Sequence, residues 1–155
     1  MAAFPDLSQA LRNAIINGNG VTDLLGQNPG GDNVFTSRPV PAKAPYPMVV
    51  IGPDLGTNDQ GGLNDQRLTI IRDVGVYGQN SGDTKQQYRD VETTARLVRD
   101  LFHRKPASIV VPDWRVVQIW TRGPLTGPTS NANGGTDDKF VARIVELTIT
   151  LIAVI

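Results

Sequence analysis

The side chains able to do chemistry are few. His103 is the only histidine among 155 residues and there is no cysteine. Thiol catalysis, cysteine-zinc sites and iron-sulfur ligation are therefore excluded, and a zinc site would have to be built mostly from carboxylates, which seldom form one. As a general base His103 would stand alone; a histidine closing a helix beside its negative pole is the commoner arrangement and the one expected here. Asp54, Asp59 and Asp65 fall in one stretch and Asp137 and Asp138 form a pair. Neither stretch has the Asp-x-Asp-x-Asp-Gly order and distant Glu of an EF-hand, so solvated loop carboxylates are expected. Gly56-Thr-Asn-Asp-Gln-Gly-Gly62 has the glycines of a phosphate cradle but not the Lys-Ser/Thr of a P-loop, and no helix start follows it. No serine stands in a Gly-x-Ser-x-Gly setting. The residues name no catalytic group, metal or cofactor, and the expectation is a protein that is not an enzyme.

Fifteen basic side chains balance fifteen acidic ones. A dedicated nucleic-acid module carries a clear basic excess, so that class is disfavoured. Arg96, Arg99, Arg104 and Lys105 tilt the end of one helix towards positive charge, but Asp90, Glu92 and Asp100 offset them, as on a solvated helix face.

The elements that would position these groups follow from hydrophobic period. Leu7, Ala10, Leu11, Ala14 and Ile15 lie on one helical stripe behind Pro5 and Asp6, and Gly18 and Gly20 stop the helix. A short helical turn is expected at 22–25. Val34 to Arg38 reads as a short strand, and Pro39, Pro41, Pro45 and Pro47 confine the next segment to an edge or rim. Tyr46 to Ile51 is apolar on both faces and reads as an interior strand. Residues 54–66 read as a long polar loop, and Arg67 to Tyr77 as a strand with Leu68, Ile70, Val74 and Val76 on one face, interrupted by Arg72. A long helix capped by Ser81 or Asp83 carries Tyr88, Val91, Ala95, Val98 and Phe102 on its apolar stripe and ends before Pro106.

Strict alternation through Trp114 to Trp120 places Trp114, Val116 and Trp120 opposite Val117 and Ile119, so both faces want cover. A second polar loop spans 123–138. The last strand, from Phe140, has Val141, Val145, Leu147, Ile149, Leu151 and Ala153 on one face, interrupted by Arg143. The expected fold is a single α+β domain over 1–155: an antiparallel or mixed sheet of about four strands, a long helix packed on one face, and a shorter N-terminal helix.

The first residues lack a basic region and an apolar core, so no secretory signal is expected, and the run 147–155 is too short to span a membrane. Strands apolar on both faces, together with long polar loops, point to closure by a neighbouring copy. Pro41, Tyr46, Leu55 and Leu63 are the candidate contacts on the first half of the chain, and Trp114, Trp120 and Leu125 on the second.

The order of these features resembles the tail-completion or tail-terminator proteins of long-tailed bacteriophages. The residues that carry the resemblance are Tyr46-Pro-Met-Val-Val-Ile-Gly52 before a polar loop, the strand ending Val74-Gly-Val-Tyr77, and the helix with Tyr88, Val91, Ala95, Val98 and Leu101. The resemblance spans most of the chain; the insertion at 123–136 has no counterpart in it. It implies a structural virion protein at the neck, made in the host cytoplasm, without cofactor or enzymatic activity and without membrane contact. It further implies a homohexameric ring that ends the tail tube, with the major tube protein on one side, a head-completion or connector protein on the other, and DNA passing unread through the lumen. The loop 54–66 would then touch the tube and the rim 39–47 a neighbour. Three alternatives remain open: an adjacent connector ring, a small α+β ligand-binding or enzymatic domain with loop lids, and a nucleic-acid adaptor.

Overall fold

The computed structural model describes residues 4–18, 20–27, 31–37, 40–41, 44–59, 66–79, 85–127 and 140–154, without the side chains of 85–87 and 140. In chain order the elements are α1 (Leu7–Asn17), β1 (Val34–Phe35), β2 (Met48–Asp59), β3 (Arg67–Gln79), α2 (Lys85–Phe102), β4 (Trp114–Thr126) and β5 (Phe140–Ala153). One five-stranded sheet has the order β1-β2-β3-β5-β4; β1 pairs parallel with β2 and every other pairing is antiparallel. The α+β expectation holds, with a mixed sheet of five strands where about four were expected; of the strand expected from Val34 to Arg38, Val34–Phe35 pairs with Val49 and Val50.

Both helices pack on one face of the sheet. Asp6 caps α1 by accepting from the Gln9 amide (3.2 Å), so Pro5 lies one position before the cap rather than in the first turn. Leu7, Leu11 and Ile15 of α1 and Val91, Ala95, Val98 and Phe102 of α2 meet Val49, Ile51, Leu68, Ile70, Val74, Val76 and the inward row of β5. Residues 20–24 form turns, not a helix, and bury Val21. The expected caps Ser81 and Asp83 lie outside the described residues, and Tyr88, expected on the buried stripe, is exposed at the start of α2.

The two arginines that interrupt the apolar faces each tie a helix down. Arg72 is 7% exposed; its Nε donates to Gly52 O (2.9 Å) and its Nη2 to Ser8 Oγ (2.6 Å), joining β3 to β2 and to α1. Burial lowers the Arg72 pKa, and the carboxylates of Asp54, Asp6 and Asp73 oppose that shift. Arg143 donates from Nη2 to Tyr88 Oη (2.5 Å) and to Glu92 Oε1 (3.1 Å), and its guanidinium lies over the Tyr88 ring (5.0 Å), so β5 holds the first turns of α2. An aliphatic residue at either position would fill the face but leave the helix end unanchored.

On the opposite face a second, smaller cluster joins Val40, Met48, Val50, Tyr77 and Ala142, with Ala44 and Tyr46 packed against it. Val40, Ala44 and Tyr46 of the proline-rich segment therefore cover the sheet's own second face instead of standing at a rim. Its carbonyls accept where its prolines cannot donate: Asn33 Nδ2 reaches Pro45 O (2.7 Å) and Pro47 O (2.8 Å), and the Gly26 amide also donates to Pro47 O. Gly75 is required beneath Tyr77, because a Cβ there would lie 2.6 Å from the ring.

Residues 54–59, expected in a loop, continue β2 and pair with Leu68 to Arg72 through two register shifts. Their side chains are exposed and mostly polar, but β3 offers partners to all of them except Leu55, and backbone pairing rather than burial extends the strand. Residues 123–126, also expected in a loop, continue β4 to Thr126, with Leu125 and Thr126 paired to Ile144 and Arg143; residues 60–65, with Leu63, and 128–139 lie outside the described residues.

Arg72→Ala removes a charged donor from two partly buried acceptors and is expected to lower the unfolding free energy by about 2–3 kcal/mol. Arg72→Lys recovers only part, since an ammonium lacks the planar fork that spans Ser8 and Gly52. Urea titration followed by circular dichroism measures both. Phe102→Ala is expected to cost about 3–5 kcal/mol in the same assay.

Candidate functional site

The surface is best described from the register of the sheet. On the face opposite the helices, cross-strand neighbours form rows: Trp120, Thr148, Ile71 and Gly56; then Gln118, Thr150, Thr69 and Asn58; then Arg115, Ile152 and Arg67. Val40, Ala44 and Tyr46 cover the end of this face that carries Tyr77 and Ala142. The other end presents hydroxyls, amides and guanidinium groups.

A bulge decides which tryptophan reaches solvent. Val116 pairs with Leu151 and Gln118 with Thr150, leaving Val117 as an extra residue. An extra residue reverses the alternation beyond it. Trp114, Val116 and Ile119 thus share the helix side, and Trp120 takes the other, which corrects the expectation that Trp114, Val116 and Trp120 lie together. Trp114 is 5% exposed within the main core, so it belongs to this chain's own interior and not to a contact surface. Trp120 is 43% exposed, on the outer strand β4.

The chain after α2 braces that strand. The Arg104 amide donates to Ile119 O (3.0 Å), the Arg104 guanidinium lies 4.9 Å from the centre of the Trp120 ring, and His103 meets the same ring edge-on at 5.5 Å. His103 Nδ1 accepts from the Thr121 amide (3.4 Å) and lies 2.8 Å from Thr121 Oγ1. The single histidine is thus turned onto β4, where it fixes the edge. Among the described residues no group of three or more His, Asp or Glu side chains could hold a metal ion, and no helix is long and apolar enough to cross a membrane.

The remaining candidates are scattered. Leu55 is 53% exposed on the outer part of β2, beside a turn in which Asp54 accepts from the Gly56 amide (2.8 Å) and from Thr57 Oγ1. Pro41 is exposed, Tyr46 is half-buried on the second cluster, and half-buried Leu125 stands opposite Ile144 near the end of β4. The structure brings none of the others to Trp120; it places Leu55 and Trp120 on opposite borders of the sheet. Sequence reasoning missed Arg104 and His103 as partners of Trp120, although their position just past the end of α2 was legible. A groove between α1 and residues 108–112 is lined by Ala10, Ala14, Leu101 and Val110.

No protein-family model matches this chain, and no curated protein does. Among solved structures it is similar to a chain of the virion of a native gene transfer agent particle, with a TM-score of 0.64 and 15% identity. The match covers 95% of this chain and 93% of the other. The likeness establishes a shared fold from end to end.

The two tryptophans make the bulge measurable. Trp120→Phe is expected to leave one blue-shifted emitter, Trp114, that acrylamide quenches weakly. Trp114→Phe is expected to leave a readily quenched one and to lower stability, since it removes core volume.

Proposed function

We propose that this chain is a structural virion protein whose copies form a ring that ends the tail tube and joins it to the head-side connector, leaving a channel for DNA. The observation that carries the reading is the fold likeness to a virion chain over nearly the whole length of both proteins. The order of elements that resembles tail-terminator proteins agrees with it: the strand following Tyr46-Pro47, the polar arm beyond it, and α2 across the sheet.

The mechanism is geometric. A ring face that reproduces the tube subunit's contact surface docks on the last tube ring, and the opposite face lacks it, so that no further tube ring adds. The outer part of β2, whose residues 53–59 are all exposed, is the part of the fold suited to reach a tube subunit. The balance of 15 positive and 15 negative groups suits a lumen through which DNA must slide, because strong phosphate binding would retard it.

Deleting Gly56 to Gly62 is expected to keep a cooperative melting transition, since Gly56 to Asp59 are exposed and beyond the core, and to abolish the capping of tail tubes. Negative-stain imaging with light scattering reads the result. Sixfold rings, or caps at tube ends, are expected of the unaltered protein. A deletion variant that still caps tubes removes the assignment of the arm, and rings found only on head connectors move the protein to the neighbouring ring of the neck.

A further inference from the structure

Exposed apolar side chains are not spread evenly over this molecule. Among the described residues six large hydrophobic side chains stand out to solvent, and three of them, Phe4, Val110 and Val154, lie at or beside the groove between α1 and residues 108–112. Val110, 82% exposed, lines the groove. The Val154 amide donates to Asp113 O (2.9 Å), next to Pro112 in the same lining. Phe4, 64% exposed, stands two residues ahead of the lining Asp6, the cap of α1. Clustered apolar side chains of this kind mark a contact surface, whereas single ones do not.

The groove sets what can fill it. Ala10, Ala14 and Gly18, four residues apart on α1, line it with small side chains, and Leu101 closes in at Gly18, where a Cβ would lie 3.1 Å from Leu101 Cδ2. Asp6 is the only charged side chain among the described residues of the lining. An apolar, uncharged segment suits such a groove. This chain carries one: Met1-Ala-Ala-Phe4 is apolar throughout. Four extended residues span at most roughly 14 Å, and the stretch of α1 from Asp6 to Gly18 is roughly 18 Å long, so the two agree in length. Phe4 does not enter the groove of its own chain. A residue ahead of proline is held extended, and Pro5 is buried, so Phe4 leads off the end of α1 instead of back along its side, and its ring stays in water.

We propose that the groove takes residues 1–4 of a second copy of this chain, with the Phe4 ring seated over Ala10 and Ala14. The segment and the groove are different patches of one surface, so each protomer gives one segment and receives another. Such a contact is heterologous and closes into a ring when its rotation allows. Burial of the Phe4 ring supplies the apolar area, and Val110 and Val154 at the lip extend it. The contact uses α1, the chain after α2 and the end of β5, and leaves the outer part of β2 to the tube. This inference rests on the ring reading above and names one contact between neighbours.

Because the chain has no cysteine, disulfide trapping reads the contact directly. Ala3→Cys puts a thiol beside Phe4, and Asn13→Cys puts one on the wall of the groove, where Asn13 is exposed. With diamide as oxidant, the double variant is expected to give a ladder of linked chains on a non-reducing gel, ending at the size of the ring. The two single variants mixed together are expected to stop at pairs holding one of each, and either alone to stay unlinked. A bond within one chain of the double variant, or no bond at all, overturns the contact. Phe4→Ser is expected to weaken association roughly tenfold to a hundredfold, read in light scattering, with the melting transition unchanged. A Phe4→Ser variant that associates as the wild type does also overturns it. Wild-type rings without the cross-link leave the ring reading standing, whereas wild-type protein that stays monomeric and unlinked at every concentration removes both.

Discussion

The β3–β5 ladder is the interaction on which the rest of the structure depends. All thirteen residues of β3 pair with β5, and β5 comes from the far end of the chain. It enters the sheet between β3 and β4, so β4 cannot join until β5 has bridged the gap. The long-range closure this demands is entropically costly, and it becomes favourable only because Val145, Leu147, Ile149 and Leu151 are buried on the helix side at the same time. The helices and the bulge in β4 both refer to this central pair.

Charged residues within that apolar frame decide where the helices sit. A sheet face and a helix stripe can slide over one another at little cost, because hydrophobic contact is not directional. Arg72 and Arg143 remove that freedom. Each spends its guanidinium on partners from a helix near its N-terminus, Ser8 in α1 and Tyr88 with Glu92 in α2. Fixing the helices in turn fixes the chain after α2, which carries Arg104 and His103 to Trp120. The outer border of β4 is thus shaped from the core outwards.

The functional reading has the same character. What the surface presents is an arm of exposed polar strand, an exposed tryptophan on the outer strand and a half-covered sheet face, with the histidine committed to bracing a strand. In the ring proposed above, shape and charge are the properties through which such a surface selects its neighbours.

The α+β class, both helices, the inward rows of β3 and β5 and the lack of cysteine chemistry were legible in the sequence, because burial imposes a period on residue type that alternation and helical spacing reveal. Three features were decided only by the tertiary structure. Whether 54–59 forms strand or loop depended on a partner strand, since its polar side chains carry no burial signal. Which tryptophan is exposed depended on the bulge at Val117, which strict alternation along β4 cannot register. That the interrupting arginines serve as anchors depended on Ser8, far from Arg72 in the chain, and on Tyr88 and Glu92, far from Arg143. The sequence by itself determines what must be hidden from water; pairing across the sheet determines which polar and aromatic groups are left to face it, because hydrogen-bond register is a relation between strands and not a property of either one.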